Sequence, residues 1–386
     1  MKRLKITKFG PIEEVDLEIG DMTVLVGPQA TGKSLFLQFL NLLLDSASII
    51  KTLRSFGFVL NNEKELLEHY LGFDMAKSWN DETEIALDGK VIDIHGLLRR
   101  KPRAVENTAF YIPAQRVLIM EEGWPRPFLN LSSYPYIVRD FSERLRTIME
   151  ASLGKGALFP QEGKLKKVIT DKIQEGIFRD STIKLETEFK KRLVLEVNGT
   201  GKMQLPISFW SAGQREFMPL LLGLYYLIPA SKVSQKGQIQ TVIIEELEMG
   251  LHPNAIYGVM FAILELLHRG YKVVISTHSL HVVEMIWAIE EIRKSGIKQN
   301  DRLKAFYKLF NLESPRIDVR KMAQNCLEKQ YKVFYFEPGK KNGFTSARDI
   351  TSLDPGEEDP GISGWGGLSD FSSRIVDVVS GLHEIS

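Results

Sequence analysis

The feature that most constrains this chain is an eight-residue loop, G-P-Q-A-T-G-K-S, with the spacing G-x-x-x-x-G-K-[S/T] that cradles phosphates. A short β-rich run precedes the loop and an apolar helical run follows it. The glycines let the backbone curl so that several N–H groups point at one phosphate, and the helix N-terminus adds partial positive charge. We predict a nucleotide-binding strand–loop–helix unit whose binding residues are Gly27, Pro28, Gln29, Ala30, Thr31, Gly32, Lys33 and Ser34.

Two side chains of this loop have specific chemical roles in the prediction. Lys33 reaches the β- and γ-phosphates of the nucleotide, and Ser34 provides an oxygen ligand for Mg²⁺. A chance match to the pattern in a chain of this length has a probability of roughly 1%. The strand and helix on either side of the loop make chance a still poorer explanation.

Composition limits the classes of partner. The 386 residues suggest two or three lobes, and the net charge of +1 provides no global attraction to nucleic acid or membranes. The single cysteine, Cys326, excludes an internal disulfide and fits a reducing cytoplasm. The N-terminus lacks the apolar core of a signal peptide, and the longest apolar stretch, around residues 217–230, is too short to span a bilayer. We expect a cytoplasmic protein without a membrane partner.

The hydrophobic pattern predicts an α/β fold. Residues 3–26 alternate in the manner of two or three short strands, and buried strands are predicted at 109–113, 241–244 and 273–276. Helical segments separate the later strands, which favours a mostly parallel core sheet covered on both faces. A strand pair is predicted at residues 193–207, with its turn at Asn198-Gly199.

The same pattern suggests four segments along the chain. The Gly- and Pro-rich residues 337–369 are expected to form loop or a loosely ordered tail. The predicted segments are an N-terminal lobe with the phosphate loop (1–45), an inserted helical or mixed lobe (46–207), a second core lobe (208–335) and a C-terminal tail (336–386).

A second informative segment is V-I-I-E-E, an apolar strand that ends in two carboxylates. Glu245 would hold Mg²⁺ directly or through water, and Glu246 would polarise the water that attacks the γ-phosphate. Phosphoryl transfer needs mainly positioning and charge neutralisation, which this pair supplies. The alternative is a solvated acidic turn after the strand, which is less favoured because a phosphate loop precedes the pair in the same chain.

Two further segments suggest phosphate contacts. Ser211, Gly213 and Gln214 open an apolar helix, where a hydroxyl and unpaired N–H groups form an anion site, although a plain N-cap with Ser211 as cap is the preferred explanation of this segment taken alone. His278 follows a buried strand, at the edge where ligands bind in open α/β sheets, and would contact the γ-phosphate. A packing or capping histidine is the alternative.

The order of these motifs resembles that of ATP-binding-cassette (ABC) ATPases: Walker A, signature, Walker B with catalytic Glu, and switch His. Within that superfamily, E-E-L-E-M-G-L-H-P looks like the block of the OLD-like (AAA15/AAA21) group, and Y-I-P-A-Q-R resembles that group's Y-I-P-A-E-R segment. The resemblance implies Gln115 as the Q-loop glutamine and a dimer that holds ATP and Mg²⁺ between two subunits. Ser211 and Gly213 would then close the partner's site.

The chain departs from the family pattern at a few positions. Gln29-Ala30 replaces the common Asn-Gly, Leu247 replaces the usual proline after the acidic pair, and the strand-Glu-Gly and Asp-x-Asp segments of a TOPRIM nuclease domain are missing after His278. The resemblance is therefore to the ATPase part alone, similar to stand-alone ATPases of two-gene bacterial anti-phage systems. It implies an ATPase, slow or triggered, that senses, assembles and restrains or releases a separate nuclease or toxin.

Several alternatives stay open at this stage. A transporter subunit is disfavoured because such subunits resemble one another in a short distance from Walker A to signature, whereas Lys33 and Ser211 lie about 180 residues apart here. A DNA-repair or SMC/RecF-like ATPase is a stronger rival, since DNA would be contacted by basic clusters at residues 99–103, 164–167 and 190–192. Such runs are more often solvated faces. ATP could also act only as a binding element that orders an assembly.

Overall fold

The computed structural model describes residues 2–99, 106–152, 157–188, 190–197, 203–228, 234–313, 317–339 and 343–384. Over these residues the helices are α1 Lys33–Ser55, α2 Glu63–Leu71, α3 Ile94–Arg99, α4 Tyr136–Ser152, α5 Lys167–Ile173, α6 Ala212–Leu227, α7 Pro253–His268, α8 Leu280–Lys294, α9 Gln299–Leu309, α10 Ile317–Cys326, α11 Pro360–Ser363 and α12 Asp370–Glu384. The strands are β1 Arg3–Phe9, β2 Ile12–Glu18, β3 Met22–Val26, β4 Glu84–Leu87, β5 Lys90–Val91, β6 Ala109–Ile112, β7 Met120–Glu121, β8 Trp124–Pro125, β9 Ala157–Phe159, β10 Ser181–Glu186, β11 Arg192–Val197, β12 Met203–Pro206, β13 Thr241–Glu245, β14 Lys272–Ser276, β15 Tyr331–Pro338 and β16 Thr345–Asp349.

The chain divides into two compact units. The first consists of Met1–Leu37, Asn80–Ile92 and Val274–Ser386, and the second of Gln38–Trp79 and Asp93–Val273. Each unit is therefore discontinuous in sequence. The four segments inferred from the sequence remain predictions.

The first unit begins with an antiparallel hairpin, as the alternation of its residues predicts. Strands β1 and β2 pair with Leu4 opposite Leu17 and Ile6 opposite Val15. All four of these side chains are buried, because successive residues of a strand point to opposite faces and the apolar set shares one face. The strands of this unit then follow the order β5-β4-β1-β2-β16-β15-β3.

The strand that leads into the phosphate loop lies deep in this sheet. Every residue of β3 is buried, and β3 pairs in parallel with β15, with Val24 opposite Val333. Parallel strands need cover on both faces, which explains why β3 is buried throughout and apolar at every position except Thr23.

Residues 337–369 differ from the loop or tail that the sequence suggests. Strand β16 pairs antiparallel with β15 and parallel with β2, so it lies inside the sheet. Further on, the Trp365 indole N–H donates to the carbonyl of Leu353, and both side chains are buried. The residues of β16, T-S-A-R-D, carry no apolar run, and the strand is fixed by hydrogen bonds to distant partners rather than by its own composition.

The second unit holds a parallel strand pair, an antiparallel sheet and the most apolar helices. Strands β6 and β13 pair in parallel, with Phe110 opposite Val242. A separate four-stranded antiparallel sheet has the order β12-β11-β10-β9. The predicted strand pair is confirmed, since β11 and β12 are antiparallel with Val197 opposite Met203, while the predicted turn at Asn198-Gly199 lies outside the described residues. The α/β fold class is confirmed.

Two helices stand out by their apolar content. Among the described residues, α1 alone has the length and hydropathy of a membrane span, but 61% of its most apolar window is buried inside the protein, as in the core helix of a globular domain. In α12 the apolar side chains at Phe371, Ile375, Val376, Val378 and Val379 are exposed instead, and Phe371 is 70% exposed. The apolar character of α1 is therefore explained by packing.

Candidate functional site

The phosphate loop in the first unit has the curled backbone that its sequence predicts. Three of its residues have positive φ: Gly27 at 136°, Ala30 at 61° and Gly32 at 89°. A Cβ atom on Gly27 would lie 2.5 Å from the carbonyl oxygen of Phe336, and one on Gly32 would lie 2.7 Å from Cγ1 of Ile12. Both glycines are thus required by conformation and by space. Ala30 occupies the left-handed region at some energetic cost, at a position where the ABC pattern commonly has glycine.

Lys33 folds back across this loop from the first turn of α1. Its ammonium group donates to the carbonyls of Gly27 (2.8 Å) and Pro28 (2.6 Å), and the Thr31 hydroxyl also donates to Pro28 (2.9 Å). Only 6% of Lys33 is exposed, whereas residues 28–30 and Ser34 are exposed. The loop therefore has an accessible rim of backbone and serine hydroxyl around a sheltered ammonium group.

His278 lies in the same unit, on the segment that follows β14. The backbone N–H of Thr277 donates to the carbonyl of Leu25 (3.0 Å), in the strand that leads into the phosphate loop. Thr277 is fully buried, and its hydroxyl oxygen accepts from the backbone N–H of Ser279 (2.9 Å). Half-buried His278 is thus held on a segment bonded directly to the strand before the loop.

The acidic pair ends β13 in the second unit. Glu245 is 1% exposed, and one of its carboxylate oxygens accepts from the backbone N–H of Ala114 (3.0 Å). Burial, and next the charge of Glu245, raise the pKa of the Tyr111 hydroxyl well above its usual value. The carboxylate is therefore placed by the β6 segment beside it.

Glu246 begins a tight loop and is itself strained. Its φ of 43° lies in the left-handed region, which is unfavourable for a residue with a Cβ atom. The loop is closed by the N–H of Met249 donating to the carbonyl of Glu246 (3.1 Å), and that of Leu251 donating to Glu248 (2.9 Å). Leu247, which replaces the usual proline, is fully buried and anchors the loop.

The Ser211 segment forms the N-cap that the simpler alternative predicts. The Ser211 hydroxyl accepts from the backbone N–H of Gln214 (3.3 Å), and the Gln214 side-chain oxygen accepts from the N–H of Ser211 (3.0 Å). This reciprocal capping box begins α6. The Gln214 side chain also donates to the carbonyl of Ile177 (3.2 Å). A phosphate contact by these residues stays a prediction.

Gly213 has a structural role that its position in the motif does not disclose. A Cβ atom there would lie 2.7 Å from the carbonyl oxygen of Gly250, in the loop after Glu246. The first turn of α6 therefore packs backbone against backbone on that loop. The exposed side of the turn carries Ser211 and Ala212.

Arg116 is a residue of this region for which the sequence motifs predict no role. Gln115, the predicted Q-loop residue, is exposed, whereas Arg116 beside it is fully buried. The Arg116 guanidinium donates to the carbonyls of Glu216, Glu245 and Glu246, each at 3.0 Å. A signal for it exists, because Arg116 is the only charged residue in the apolar stretch 109–120.

Charge around Arg116 is balanced by carboxylates rather than by solvent. Burial lowers the pKa of the Arg116 guanidinium, while Glu216, Glu248, Glu246 and Glu245 act in the opposite direction. Burial likewise raises the pKa of the Glu216 carboxyl, against the charge of Arg116. The end of β13 and the start of α6 thus surround one positive group.

The predicted site residues fall into two groups. The first unit carries the phosphate loop and His278, and the second carries Glu245, Glu246, Gln115 and the Ser211 segment. Among the described residues no three or more His, Cys, Asp or Glu side chains form a metal-binding cluster.

Comparisons with known proteins support an ATPase domain. Residues 140–284 match the model of a family described as "AAA domain, putative AbiEii toxin, Type IV TA system". This match includes the Ser211 segment, Glu245, Glu246 and His278. No match was found among curated proteins. The match covers less than half of the chain and does not include the phosphate loop; together with the strand–loop–helix geometry of β3 and α1 it supports a P-loop ATPase domain.

Several solved structures are similar at low identity. An SMC head bound to the C-winged helix domain of ScpA is 11% identical, covers 90% of this chain and 96% of its own, and has a TM-score of 0.38. The SMC head domain from Thermotoga maritima is 11% identical, covers 90% and 98%, and has a TM-score of 0.33. A dimeric post-hydrolysis ATP-binding cassette with ADP and phosphate is 12% identical, covers 72% and 89%, and has a TM-score of 0.33.

Proposed function

We propose that this chain binds ATP with Mg²⁺ in the cytoplasm, hydrolyses it between two copies of itself, and thereby regulates a separate nuclease or toxin in bacterial anti-phage defence. The observation that carries the proposal is the curled phosphate loop, with positive φ at Gly27 and Gly32 and Lys33 folded across it. Backbone N–H groups in such a curl are an anion site. The proposals of hydrolysis, of a dimer and of an effector rest on further residues.

The phosphates and the metal are assigned to the loop and to the end of β13. Lys33 exchanges its bonds to the carbonyls of Gly27 and Pro28 for phosphate oxygens of the nucleotide. The exposed Ser34 hydroxyl and the Glu245 carboxylate would hold Mg²⁺, because both present the hard oxygen atoms that this ion prefers. When bound, Mg²⁺ neutralises charge that develops on the phosphates.

Hydrolysis is assigned to Glu246, with His278 as a γ-phosphate contact. The strained φ of Glu246 supports this role, since backbone strain concentrates at functional sites. The half-buried carboxylate accepts a proton from the water that attacks the γ-phosphate, while the His278 ring stabilises the charge on that phosphate. Turnover is slow or triggered in this proposal.

A second copy closes the nucleotide site. The exposed Ser211 and Ala212 leave the first turn of α6 open to a ligand, and the partial positive charge of a helix N-terminus favours a phosphate there. Ser211, Gly213 and Gln214 would thus contact ATP held by the phosphate loop of the partner copy, and Gln115 the metal or attacking water. The effector role rests on the OLD-like sequence block and on the toxin–antitoxin description of the matching family.

The charges of the basic clusters do not favour DNA as the primary ligand. Lys166 pairs with buried Glu265 (2.5 Å), and Arg192 pairs with Glu186 (2.5 Å). Lys190 pairs with Glu122, and most of the cluster at residues 99–103 lies outside the described residues. Lysine and arginine side chains engaged with carboxylates of their own chain are less available to phosphates.

The proposal predicts a separation of binding from turnover in Glu246→Gln. The amide keeps the size of the side chain but cannot accept a proton, so ATP hydrolysis should fall about 100-fold or more. ATP affinity should stay unchanged, because the phosphate loop is intact. Glu162→Gln, at an exposed position of the same unit, is the matched control and should hydrolyse ATP at the wild-type rate. Unchanged hydrolysis in Glu246→Gln would reject the assignment of the base.

The assembly is tested on the same variant by its mass in solution with and without ATP, alone and co-expressed with the neighbouring gene product. Trapped ATP should give a dimer or a multiple of it that retains the neighbour. A monomer at saturating ATP would contradict the shared site, and a dimer without the neighbour would contradict the effector role alone.

A further inference from the structure

We propose that Arg116 is a positioning residue that couples the first two turns of α6 to the backbone of Glu246. Through it, docking of the Ser211 segment on a nucleotide would set the direction of the carboxylate that activates water. The inference rests on the proposed function, since it takes Glu246 as the base. It links the Ser211 segment to Glu246.

The contacts of Arg116 join three separate pieces of backbone. Its Nε donates to the carbonyl of Glu216 in α6, its Nη2 to that of Glu246, and its Nη1 to those of Glu245 and, more weakly, Pro113. The guanidinium is a rigid planar fork with five donors, so it fixes these carbonyls relative to one another. A lysine ammonium is a single point and cannot hold the same set.

The bond to Glu246 acts on a backbone conformation that is unfavourable by itself. A φ of 43° puts the Cβ atom of Glu246 in a direction that an ordinary strand or helix residue does not give. Residues in such conformations persist only where the surroundings hold them. The Arg116 bond to the carbonyl of this residue is one of those restraints, so its loss lets the carboxylate turn away.

The bond to α6 lies at a weak point of that helix. Pro219 lacks a backbone N–H, so it leaves the carbonyl of Arg215 without its helical donor and disturbs the turn around it. Arg116 bonds the next carbonyl, that of Glu216. On the other side of the turn, Gly213 packs against the backbone of Gly250 in the loop after Glu246. The first two turns of α6 and this loop are therefore held together at two points, at Glu216 through Arg116 and at Gly213 by direct packing.

The test compares Arg116→Lys with Arg139→Lys. Both arginines are buried in the second unit, but Arg139 donates to the carbonyl of His69 and packs over Phe58 and Phe128, none of which is a predicted site residue. We expect Arg116→Lys to keep ATP affinity and the ATP-driven dimer within about twofold and to lower kcat about 10- to 100-fold at unchanged KM, since small misplacements of a catalytic group cost this much. Arg139→Lys should keep the wild-type kcat.

Wild-type kcat in folded Arg116→Lys would overturn the coupling. If Glu246→Gln also hydrolyses ATP normally, the proposed function has failed first, and the two failures are thereby distinguished. Should Arg116→Lys not fold, hydrogen exchange in the wild-type protein replaces it. A slowly hydrolysed ATP analogue should protect residues 211–217 and 245–251 together, and protection of 211–217 alone would overturn the proposal.

Discussion

The backbone contact at Gly27 offers a quantitative test of how the phosphate loop is built. Gly27 has a φ of 136°, and a Cβ atom there would lie 2.5 Å from the carbonyl oxygen of Phe336 in β15. Both partners in this contact are backbone atoms, so no flexible side chain can move aside. Gly27→Ala must therefore displace either the loop or the strand.

The expected cost combines two terms. A residue with a side chain in this region of φ costs about 1–3 kcal/mol of strain. Forcing the methyl group against the Phe336 carbonyl adds about 1–3 kcal/mol, as for overpacked cores. A loss of about 4 kcal/mol is a large share of the roughly 5–15 kcal/mol that stabilise a typical domain. It corresponds to a fall in Tm of about 8–16 °C for a unit of this size.

Gly89→Ala separates the two terms. Gly89 lies in the same unit with a φ of 79°, but no atom lies within 4 Å of the position its Cβ would take. Only backbone strain of about 1–2 kcal/mol is expected there. Urea unfolding of both variants measures the difference, and binding of a fluorescent ATP analogue should weaken only in Gly27→Ala. Equal losses of stability with intact nucleotide binding would refute the contact argument.

Two further predictions concern Ser211 and His69. Ser211→Asp keeps a good N-cap but puts negative charge where a phosphate would bind, so stability should hold while the ATP-driven dimer is lost; Ser211→Ala should instead cost about 1 kcal/mol of stability in urea unfolding. Wild-type dimerisation of Ser211→Asp would reject the phosphate contact. Burial and the charge of Arg139 lower the pKa of His69 from its usual value of 6.5. His69 therefore takes up its proton at a lower pH in the folded protein than in the unfolded chain, and the free energy of unfolding falls as the pH drops below 6.5. The difference between urea midpoints at pH 7.5 and pH 5.0 should shrink in His69→Gln, and an unchanged difference would contradict the argument.

Local sequence signals predicted the parts of the fold that depend on neighbouring residues. The alternation in β1 and β2, the apolar run of β3 and the glycines of the phosphate loop each report a conformation set within a few residues. The same holds for the N-cap of α6 at Ser211, although its reciprocal bond with Gln214 is seen only in the structure. The local sequence is enough to predict these conformations, because the interacting groups are close together in the chain.

Strand β16 shows where such signals end. Its five residues form a strand because β2 and β15 offer unpaired N–H and carbonyl groups on both sides, and those partners come from distant parts of the sequence. The residues themselves, T-S-A-R-D, have the composition of a polar loop. A pattern based on burial cannot detect a strand whose main stabilisation is backbone hydrogen bonding between two neighbours.

Arg116 and Glu246 show the same limit at the candidate site. The two glutamates at the end of β13 suggested acid–base chemistry, yet nothing in V-I-I-E-E indicates that Glu246 has a positive φ. The carbonyl of Glu246 accepts a hydrogen bond from Arg116, 130 positions earlier in the chain. The charge of Arg116 within an apolar stretch is visible in the sequence, but its four carbonyl partners are not. Since a backbone carbonyl has no residue-specific signature, the partners of a buried arginine that binds only carbonyls can be found only from the folded chain.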